Sequence, residues 1–280
     1  MTLVYVDSTM IRSYLFCRKH YELRHVRHLA PIVVSAPLSF GKAWHVIGEM
    51  LAKGEGVEET KMHFKEIYTN ETKDGLRTVN KGVELINLYT KKYAKEPFIY
   101  LHTETPFALP LRDNIVLCGK EDAIVEWNDE IYVFERKTTS RLGITFFKKF
   151  RLDYQIDIYC LACRELVGAC AGAIIDAVRV CKPKAKMDAD LVRDVVGRTD
   201  KDLDVAKEEI IDIVNDIRRG NNIYKNKLSC YTWGGCEFLP ICESHENPKV
   251  IRDFYKESAW NPMKGIEEVV KKMPKQQTLF

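Results

Sequence analysis

The chain has 280 residues, of which 46% are hydrophobic and 30% are charged, and its formal net charge at pH 7 is +3. This length and hydrophobic content suffice for one sizeable core, so we expect a single domain spanning residues 1–280. The small net charge excludes a strongly basic protein that coats nucleic acid, and any phosphate binding must come from local basic patches.

Helices are predicted to dominate the N-terminal part of this domain, residues 1–97. Asp7 can cap a first helix that carries Cys17 and runs toward His28. Further helical patterns follow between residues 40 and 93. We therefore expect an α/β fold that begins with a helical region.

The predicted core covers residues 98–181. Its expected elements are strands at 98–109, 122–127, 130–135 and 173–181 and a helix at 152–166. The C-terminal part, residues 182–280, is predicted to contain a charged connection at 183–202 and an amphipathic helix at 203–217.

A tight hairpin is predicted where two runs of β-forming residues flank Asn128 and Asp129. These two residue types suit a two-residue turn between antiparallel strands. With only two loop residues, Trp127 and Glu130 must face each other. The turn therefore fixes the register of the whole hairpin.

Counting outward from this turn brings two carboxylates and an amine together. Asp122 falls opposite Glu135 with Cβ atoms about 5 Å apart, and Lys137 lies on the same face two positions further on. Carboxylates this close repel unless a cation lies between them, and hard oxygen ligands suit Mg²⁺ or Mn²⁺. The lysine could acidify an attacking water or neutralise charge on a phosphoryl oxygen. An ordinary surface hairpin with a Glu–Lys ion pair is the alternative.

Two helical pairs could complete such a site. His45 and Glu49 share one face of a predicted helix, where a neutral imidazole can serve as a metal ligand. Gln155 and Tyr159 share a face of the later helix, and an amide and a phenol suit a nucleic-acid backbone or a nucleophilic water. The alternatives are a packed helix histidine and a helical turn that rests on the sheet.

Four short motifs follow one another along the chain: Gly-x-x-x-His at 41–45, Gly-x-x-Asp at 119–122, Glu-x-Lys at 135–137 and Gln-x-x-x-Tyr at 155–159. No single motif is specific, but in this order they resemble the RecB-like branch of the PD-(D/E)XK nucleases. The resemblance implies a mixed central sheet flanked by helices. It also implies a nuclease that acts on DNA with Mg²⁺ or Mn²⁺.

The same resemblance implies a role for each matched residue. His45, Asp122 and Glu135 would hold the divalent metal. Lys137 would serve as the catalytic base or as an electrostatic aid to the attacking water. Gln155 and Tyr159 would help to place the DNA and the lysine.

Four of the nine cysteines stand out by their positions, one near the N terminus and three near the C terminus at equal spacing: Cys17, Cys230, Cys236 and Cys242. No signal peptide or long apolar run precedes the chain, so we expect a cytoplasmic protein whose spaced thiols bind metal rather than form disulfides. Four thiolates suit either tetrahedral zinc or a [4Fe-4S] cluster, and the lack of Cys-x-x-Cys pairs disfavours zinc.

One early and three late cysteines resemble the iron-sulfur subset of RecB-like nucleases, which includes CRISPR spacer-acquisition exonucleases and phage exonucleases. The resemblance implies a structural [4Fe-4S] cluster bound by the four cysteines, which would clamp the N-terminal helix and the C-terminal segment onto the core. The spacing between Cys230 and Cys236 is longer than in the CRISPR relatives. A phage or stand-alone exonuclease therefore stays open.

The expected function is a DNA exonuclease that hydrolyses phosphodiester bonds at single-stranded or frayed ends, in CRISPR adaptation or in phage or recombination DNA processing. One alternative is a catalytically idle DNA-end-binding or scaffold protein with a structural cluster, and another is a restriction-type endonuclease. Phosphate binding is expected above all from Lys148, Lys149 and Arg151, because the active-site motifs flank this basic patch.

Overall fold

The computed structural model describes residues 3–69, 74–181, 190–220 and 223–268. The chain divides into two compact units, each assembled from several stretches of sequence. Unit 1 comprises Met1–Val33, Pro106–Gly119 and Asp204–Phe280, and unit 2 comprises Val34–Thr105 and Lys120–Leu203. The expected parts 1–97, 98–181 and 182–280 do not coincide with these units, and the single domain stays a prediction.

The helices within the described residues are α1 (Ser8–Phe16), α2 (Arg18–Tyr21), α3 (Ala36–Ala52), α4 (Val57–Ile67), α5 (Val79–Lys92), α6 (Ile144–Lys148), α7 (Tyr154–Val167), α8 (Asp200–Arg219), α9 (Leu239–Glu243) and α10 (Pro248–Phe254). A π-helical turn at Glu22–Val26 continues α2, and 3₁₀ turns cover Lys149–Leu152 and Thr232–Gly234. The helices predicted at 152–166 and 203–217 are confirmed as α7 and α8. None of the helices in these described ranges is long and apolar enough to span a membrane.

The strands are β1 (Val4–Val6), β2 (Leu29–Pro31), β3 (Ile99–Pro110), β4 (Ile115–Trp127), β5 (Glu130–Thr139), β6 (Gly172–Arg179), β7 (Leu191–Gly197) and β8 (Tyr255–Glu257). The strands predicted at 98–109 and 173–181 are confirmed as β3 and β6. The predicted charged connection at 183–202 is wrong in its described part, because that part contains β7 and the start of α8.

In unit 1, β1 pairs in parallel with the beginning of β4, and β2 pairs antiparallel with β8. Asp7 caps α1 as predicted, because its Oδ1 accepts a hydrogen bond from the backbone N–H of Met10 at 2.8 Å. A small apolar core joins the N-terminal turns to the C-terminal segment, and it consists of Leu23, Phe238, Ile241 and Tyr255.

The prediction of one continuous helix through Cys17 is wrong. Cys17 has extended backbone angles, with φ −167° and ψ 120°, so α1 ends at Phe16 and α2 begins at Arg18. The Cys17 N–H still donates to the Ser13 carbonyl at 3.1 Å, so the helical hydrogen bonds of α1 continue up to the residue at which the helix breaks.

In unit 2, the second half of β4 pairs antiparallel with β5, β5 pairs in parallel with β6, and β6 pairs antiparallel with β7. The sheet is therefore mixed, as the resemblance implied. Helices α3, α4 and α5 pack around a large apolar cluster that reaches β6 through Val178, and α7 packs on β5 and β6. Phe40, Trp44 and Phe64 are among the fully buried side chains of this cluster.

β4 and β5 form the predicted hairpin. Asn128 and Asp129 have φ angles of 52° and 62°, which are the left-handed values that a type I′ turn requires. Trp127 pairs with Glu130, as counted from the sequence. The predicted register of the hairpin is thus confirmed over the paired residues.

Candidate active site

A carboxylate stands where the regular pairing of the hairpin ends. The pairing of β4 with β5 reaches Ala123 and Phe134. One residue further, Asp122 Oδ2 accepts a hydrogen bond from the backbone N–H of Arg136 at 2.7 Å. Its other oxygen, Oδ1, lies 2.7 Å from Nδ1 of His45. Both carboxylate oxygens are therefore held in place.

A glycine allows α3 to bring His45 to this carboxylate. Gly48 lies one turn after His45, and a Cβ atom built on Gly48 would lie 2.3 Å from Cδ and 2.4 Å from Nε of Arg136. The Arg136 side chain, which is 1% exposed, is thus packed against bare helix backbone. Any larger residue at position 48 must push α3 or the arginine away.

The second carboxylate belongs to a hydrogen-bonded group. Glu135 is 2% exposed, and its Oε1 accepts from Lys137 Nζ and, at 3.0 Å, from Gln155 Nε2. Lys137 Nζ also donates to Gln155 Oε1 at 3.1 Å. Gln155 Nε2 lies 3.1 Å from the hydroxyl of Tyr159 and donates to it. The fold therefore brings these four predicted residues together.

The start of α7 sets the position of the amide in this group. Asp153 is the N-cap residue of α7, and its Oδ1 accepts from the backbone N–H of Gln155 at 2.8 Å. Gln155 therefore lies in the first turn of the helix, and Tyr159 follows one turn later on the same face. The cap orients the helix so that both side chains reach β5.

Burial and neighbouring charges act against each other in this site. Burial raises the pKa of Asp122, but the charges and hydrogen bonds of His45 and Arg136 together outweigh it, so the net shift is downward. Burial raises the pKa of Glu135 as well, Lys137 only partly opposes the rise, and the charge of Asp122 adds to it. Burial lowers the pKa of His45, but the charge of Asp122 raises it above its ordinary value. Carboxylates with opposite shifts are typical of catalytic and metal-binding sites.

The donor set fits a hard divalent cation. Two carboxylates and an imidazole are ligands that Mg²⁺ and Mn²⁺ accept, and the charges of Asp122 and Glu135 lie close enough to influence each other. Within the described residues, no group of three His, Cys, Asp or Glu side chains is already arranged to hold a metal ion. Oxygens of the two carboxylates bond to His45 and Lys137 instead. The metal ligands therefore stay a prediction.

Two buried charged residues beside the motifs were not predicted. Arg136, the middle residue of Glu-x-Lys, stacks over the ring of Phe134 at 5.1 Å. Glu121 is 1% exposed, neither of its carboxylate oxygens has a partner in the described structure, and burial raises its pKa to about 9. Because successive side chains of a strand point to opposite faces, the sequence could have predicted that Arg136 lies on the other face of β5 from Glu135. The sequence contains no sign that Glu121 is buried.

In unit 1, one pocket is lined by all four cysteines that the sequence singled out: Cys17, Cys230, Cys236 and Cys242. The backbone N–H of Asn226 donates to Cys17 Sγ at 3.2 Å. Burial raises the pKa of Cys236 to about 11 and also raises that of Cys242. Because no three potential ligands in the described ranges form a metal-holding group, the predicted [4Fe-4S] cluster stays a prediction.

Comparison with solved structures finds several similar chains, and two of them are of low identity to this chain. The protein SSO0001 is 15% identical, with a TM-score of 0.35, and the match covers 84% of this chain and 94% of that chain. A protein from Eubacterium rectale named "Putative exonuclease" is 13% identical, with a TM-score of 0.45, and the match covers 82% of this chain and 93% of that chain. Both likenesses are too distant to carry an argument.

No curated protein matches this chain. A family model described as the PD-(D/E)XK nuclease superfamily matches residues 8–243, which is most of the chain. The matched range contains the whole candidate active site and all four pocket cysteines. The chain therefore belongs to the PD-(D/E)XK nuclease superfamily.

Proposed function

We propose that this nuclease is a metal-dependent deoxyribonuclease that removes nucleotides from single-stranded or frayed DNA ends. The observation that carries the proposal is the hydrogen-bonded group of Glu135, Lys137 and Gln155 beside the paired Asp122 and His45. Two buried carboxylates and an ammonium at the end of one hairpin, with an imidazole from α3, cost stability, and such clusters are typical of sites that serve a ligand or a reaction.

Asp122, Glu135 and His45 would hold a Mg²⁺ or Mn²⁺ ion, which when bound supplies positive charge for the phosphoryl oxygens and acidifies water. Lys137 would then act on the attacking water, as a base in its neutral amine form or as an electrostatic aid in its ammonium form, because its Nζ lies beside Glu135. The water would lose a proton to Lys137 or to solvent as its oxygen forms a bond to phosphorus, and the bond from phosphorus to the leaving sugar oxygen would break as that oxygen takes up a proton from solvent.

Gln155 would keep the lysine in position. Its amide oxygen accepts from Lys137 and its amide nitrogen donates to Glu135, so the three groups hold one geometry. Tyr159 extends this chain of hydrogen bonds along α7. These two residues therefore would act by positioning, and Lys137 would act on the water itself.

End-labelled DNA tests the proposal directly. Wild-type protein should release labelled nucleotides from single-stranded DNA in Mg²⁺ or Mn²⁺ and from duplex DNA only where ends fray, and EDTA should abolish the release. Lys137→Ala should slow the release by about 10²-fold or more, since a positioned charge of this kind typically contributes that much. Lys65→Ala, a change at an exposed lysine of α4, is the matched control.

A second candidate function is a catalytically idle protein that binds DNA ends. Its expected behaviour differs, because the wild type would then bind labelled ends without releasing nucleotides in either metal. Degradation that is equal in wild type and Lys137→Ala would also contradict the proposed role of the lysine.

We further propose that the four pocket cysteines bind a [4Fe-4S] cluster with a structural role. The supporting observation is that Cys17 and the three late cysteines line one pocket. The backbone N–H of Asn226 also donates a hydrogen bond to the Cys17 sulfur. Protein purified without oxygen should be coloured and contain about four iron atoms per chain. A colourless protein that contains zinc would contradict the cluster.

The biological setting of the enzyme is proposed from the resemblance alone. CRISPR adaptation and phage or recombination DNA processing both fit an exonuclease with such a cluster, and a cytoplasmic location fits both. The genes that lie beside this one would separate the two settings.

A further inference from the structure

An open cavity of about 360 Å³ lies in unit 2 along the segment that connects β5 to α7. We call it the flanking cavity, and its walls combine apolar and basic side chains: Leu142, Ile144, Phe147, Lys148, Arg151 and Val192. Its volume falls in the range of pockets that bind small ligands, which begins at about 300 Å³. The active-site motifs precede and follow this segment in sequence.

The sheet register places the flanking cavity beside the active site. Lys137 on β5 pairs with Ala177 on β6, and Ala177 pairs with Val192 on β7. Residues that pair directly across strands lie on the same face of a sheet, and two strand spacings measure roughly 10 Å. The Val192 wall of the cavity is therefore on the Lys137 face and roughly 10 Å from that lysine.

The two basic residues of the cavity are available to a ligand. Lys148 and Arg151 make no hydrogen bond or ion pair with any described residue. The neighbouring Lys149 differs, because its Nζ lies over the rings of Phe146 at 4.1 Å and Phe150 at 4.7 Å. Lys149 thus helps to fix the segment, whereas the other two cations face outward.

Apolar surface accompanies these cations. Ile144 is 78% exposed and Leu152, at the end of the same segment, is 96% exposed. Large apolar side chains this exposed and adjacent to unpaired cations are typical of binding surfaces. Unpaired bases of single-stranded nucleic acid have apolar faces next to charged phosphates, so they complement such a surface.

An acidic residue in the cavity determines which way such a ligand would lie. Asp194 also lines the cavity, and it pairs with Ile175, which pairs in turn with Glu135. A carboxylate repels phosphate but accepts hydrogen bonds from the amino groups of bases. A base would therefore point toward Asp194, and its phosphate toward Lys148 and Arg151.

We propose that the flanking cavity binds a nucleotide of single-stranded DNA next to the phosphate that is cleaved. The inference rests on the proposed function, because it names the strand form that the active site receives. Paired bases in a duplex cannot turn their faces onto Ile144, so the cavity selects unpaired ends. This selection goes beyond the hydrolysis itself.

Binding without cleavage tests the cavity separately from the reaction. Fluorescence anisotropy in EDTA compares a labelled single-stranded oligonucleotide with a blunt duplex of equal length. Lys148→Ala/Arg151→Ala should weaken single-strand binding by about tenfold and reduce the slope of log K against log salt by about 0.7 for each lost phosphate contact. Ile144→Ser should weaken single-strand binding by at least about threefold and leave duplex binding unchanged.

Two controls make the test specific. Lys65→Ala should bind as the wild type does. Hydrolysis of the small diester bis(p-nitrophenyl) phosphate, which is too short to reach the cavity, should be unchanged in all cavity variants. Loss of that hydrolysis would overturn the proposal, because the residues would then support the catalytic centre itself.

Equal single-strand binding by wild type and the double variant would also overturn the proposal. So would an Ile144→Ser variant that loses duplex and single-strand binding alike. If the variants lose single-strand binding while the wild type cleaves no substrate, the cavity is supported and the proposed nuclease function fails. The two ideas can thus fail independently.

Discussion

The active site and the cysteine pocket are held in place by different kinds of interaction. In unit 2, Asp122 is fixed by His45, and Glu135 by Lys137 and Gln155. In unit 1, burial raises the pKa of the pocket thiol Cys236 to about 11 and also raises that of Cys242, although the charge of Lys225 opposes the rise at Cys242. Charged side chains that bond to one another keep their arrangement without a ligand, whereas protonated thiols gain their strongest interactions only when a metal deprotonates them. Substitutions in the active site should therefore change the rate of hydrolysis, and substitutions in the cysteine pocket should change the free energy of unfolding.

The largest effect is expected from Asp122→Asn. The neutral amide can still accept from the Arg136 N–H and donate to His45, so the free energy of unfolding should change by less than about 1 kcal/mol. Loss of the charge should lower the rate of DNA hydrolysis by about 10³-fold, because several kcal/mol of metal-linked charge stabilisation disappear.

Nuclease assays and urea titrations of the same preparation measure both quantities. Asp129→Asn, at a turn position with φ 62° that asparagine tolerates, is the control. A rate that survives in Asp122→Asn would remove this aspartate from the chemistry.

Cys17→Ser should have the opposite profile. If a cluster joins Cys17 to the late cysteines, its loss should lower the free energy of unfolding by about 3 kcal/mol or more, because a cross-link that closes so long a loop is removed. Iron content and visible colour should fall as well, while the rate per folded molecule should persist.

Thermal unfolding and metal analysis provide the measurement. Cys181→Ser is the matched control, because this half-buried thiol belongs to unit 2 and lies near Asp190 instead of the pocket. Equal stability and iron content in the two variants would contradict the special role of the pocket.

Gly48→Ala should combine both kinds of effect. The added Cβ would meet Arg136 Cδ at 2.3 Å, so we expect a loss of about 1–3 kcal/mol from overpacking. His45 lies one turn earlier on α3, and its shift away from Asp122 should also lower the rate of hydrolysis. Gly56→Ala is the control, since the nearest atom to its Cβ, on Glu59, is 4.0 Å away. The unfolding midpoint in urea and the hydrolysis rate report the two effects.

The sequence predicted the features that depend on nearby residues. The turn at Asn128 and Asp129 determines the hairpin register by its own backbone preference, and the register brings Glu135 and Lys137 to one face. Helical spacing likewise predicted that Gln155 and Tyr159 act from one face of α7. Local rules are sufficient here because each partner lies within one hairpin or two helical turns.

Features that depend on distant residues were missed. β7 carries Arg193, and the charged residues of the segment 183–202 led to the prediction of a connection in place of this strand. In the fold its guanidinium pairs with Asp176 at 2.9 Å and with Glu96 at 2.6 Å, so the charge is satisfied inside the unit. The break of the first helix at Cys17 was also missed, because the partners of Cys17 come from Tyr224 and Asn226 far along the chain.

The smallest expected effect concerns a histidine of unit 1 that takes no part in either site. Burial, together with the charges of Arg24, His20 and His28, lowers the pKa of His25 to about 3. Neither ring nitrogen has a hydrogen-bond partner in the described structure. The unfolded chain binds a proton at His25 below about pH 6.5 and the folded chain does not, so this group makes stability fall as the pH falls from about 6.5 toward 3.

His25→Phe keeps a ring beside Tyr21 and Trp260 and removes this titration. The loss of stability between pH 7 and pH 5.5 should therefore be about 1 kcal/mol smaller in the variant than in the wild type. Urea midpoints at the two pH values measure the difference, and His63→Phe on α4 is the control. Parallel pH profiles for wild type and His25→Phe would mean that His25 takes up its proton equally in both states. His25 belongs to unit 1 and lies outside the hydrogen-bonded group of Glu135 and Lys137. DNA hydrolysis by His25→Phe at pH 7 should therefore be unchanged, so this variant changes the pH dependence of unfolding without changing the rate of hydrolysis.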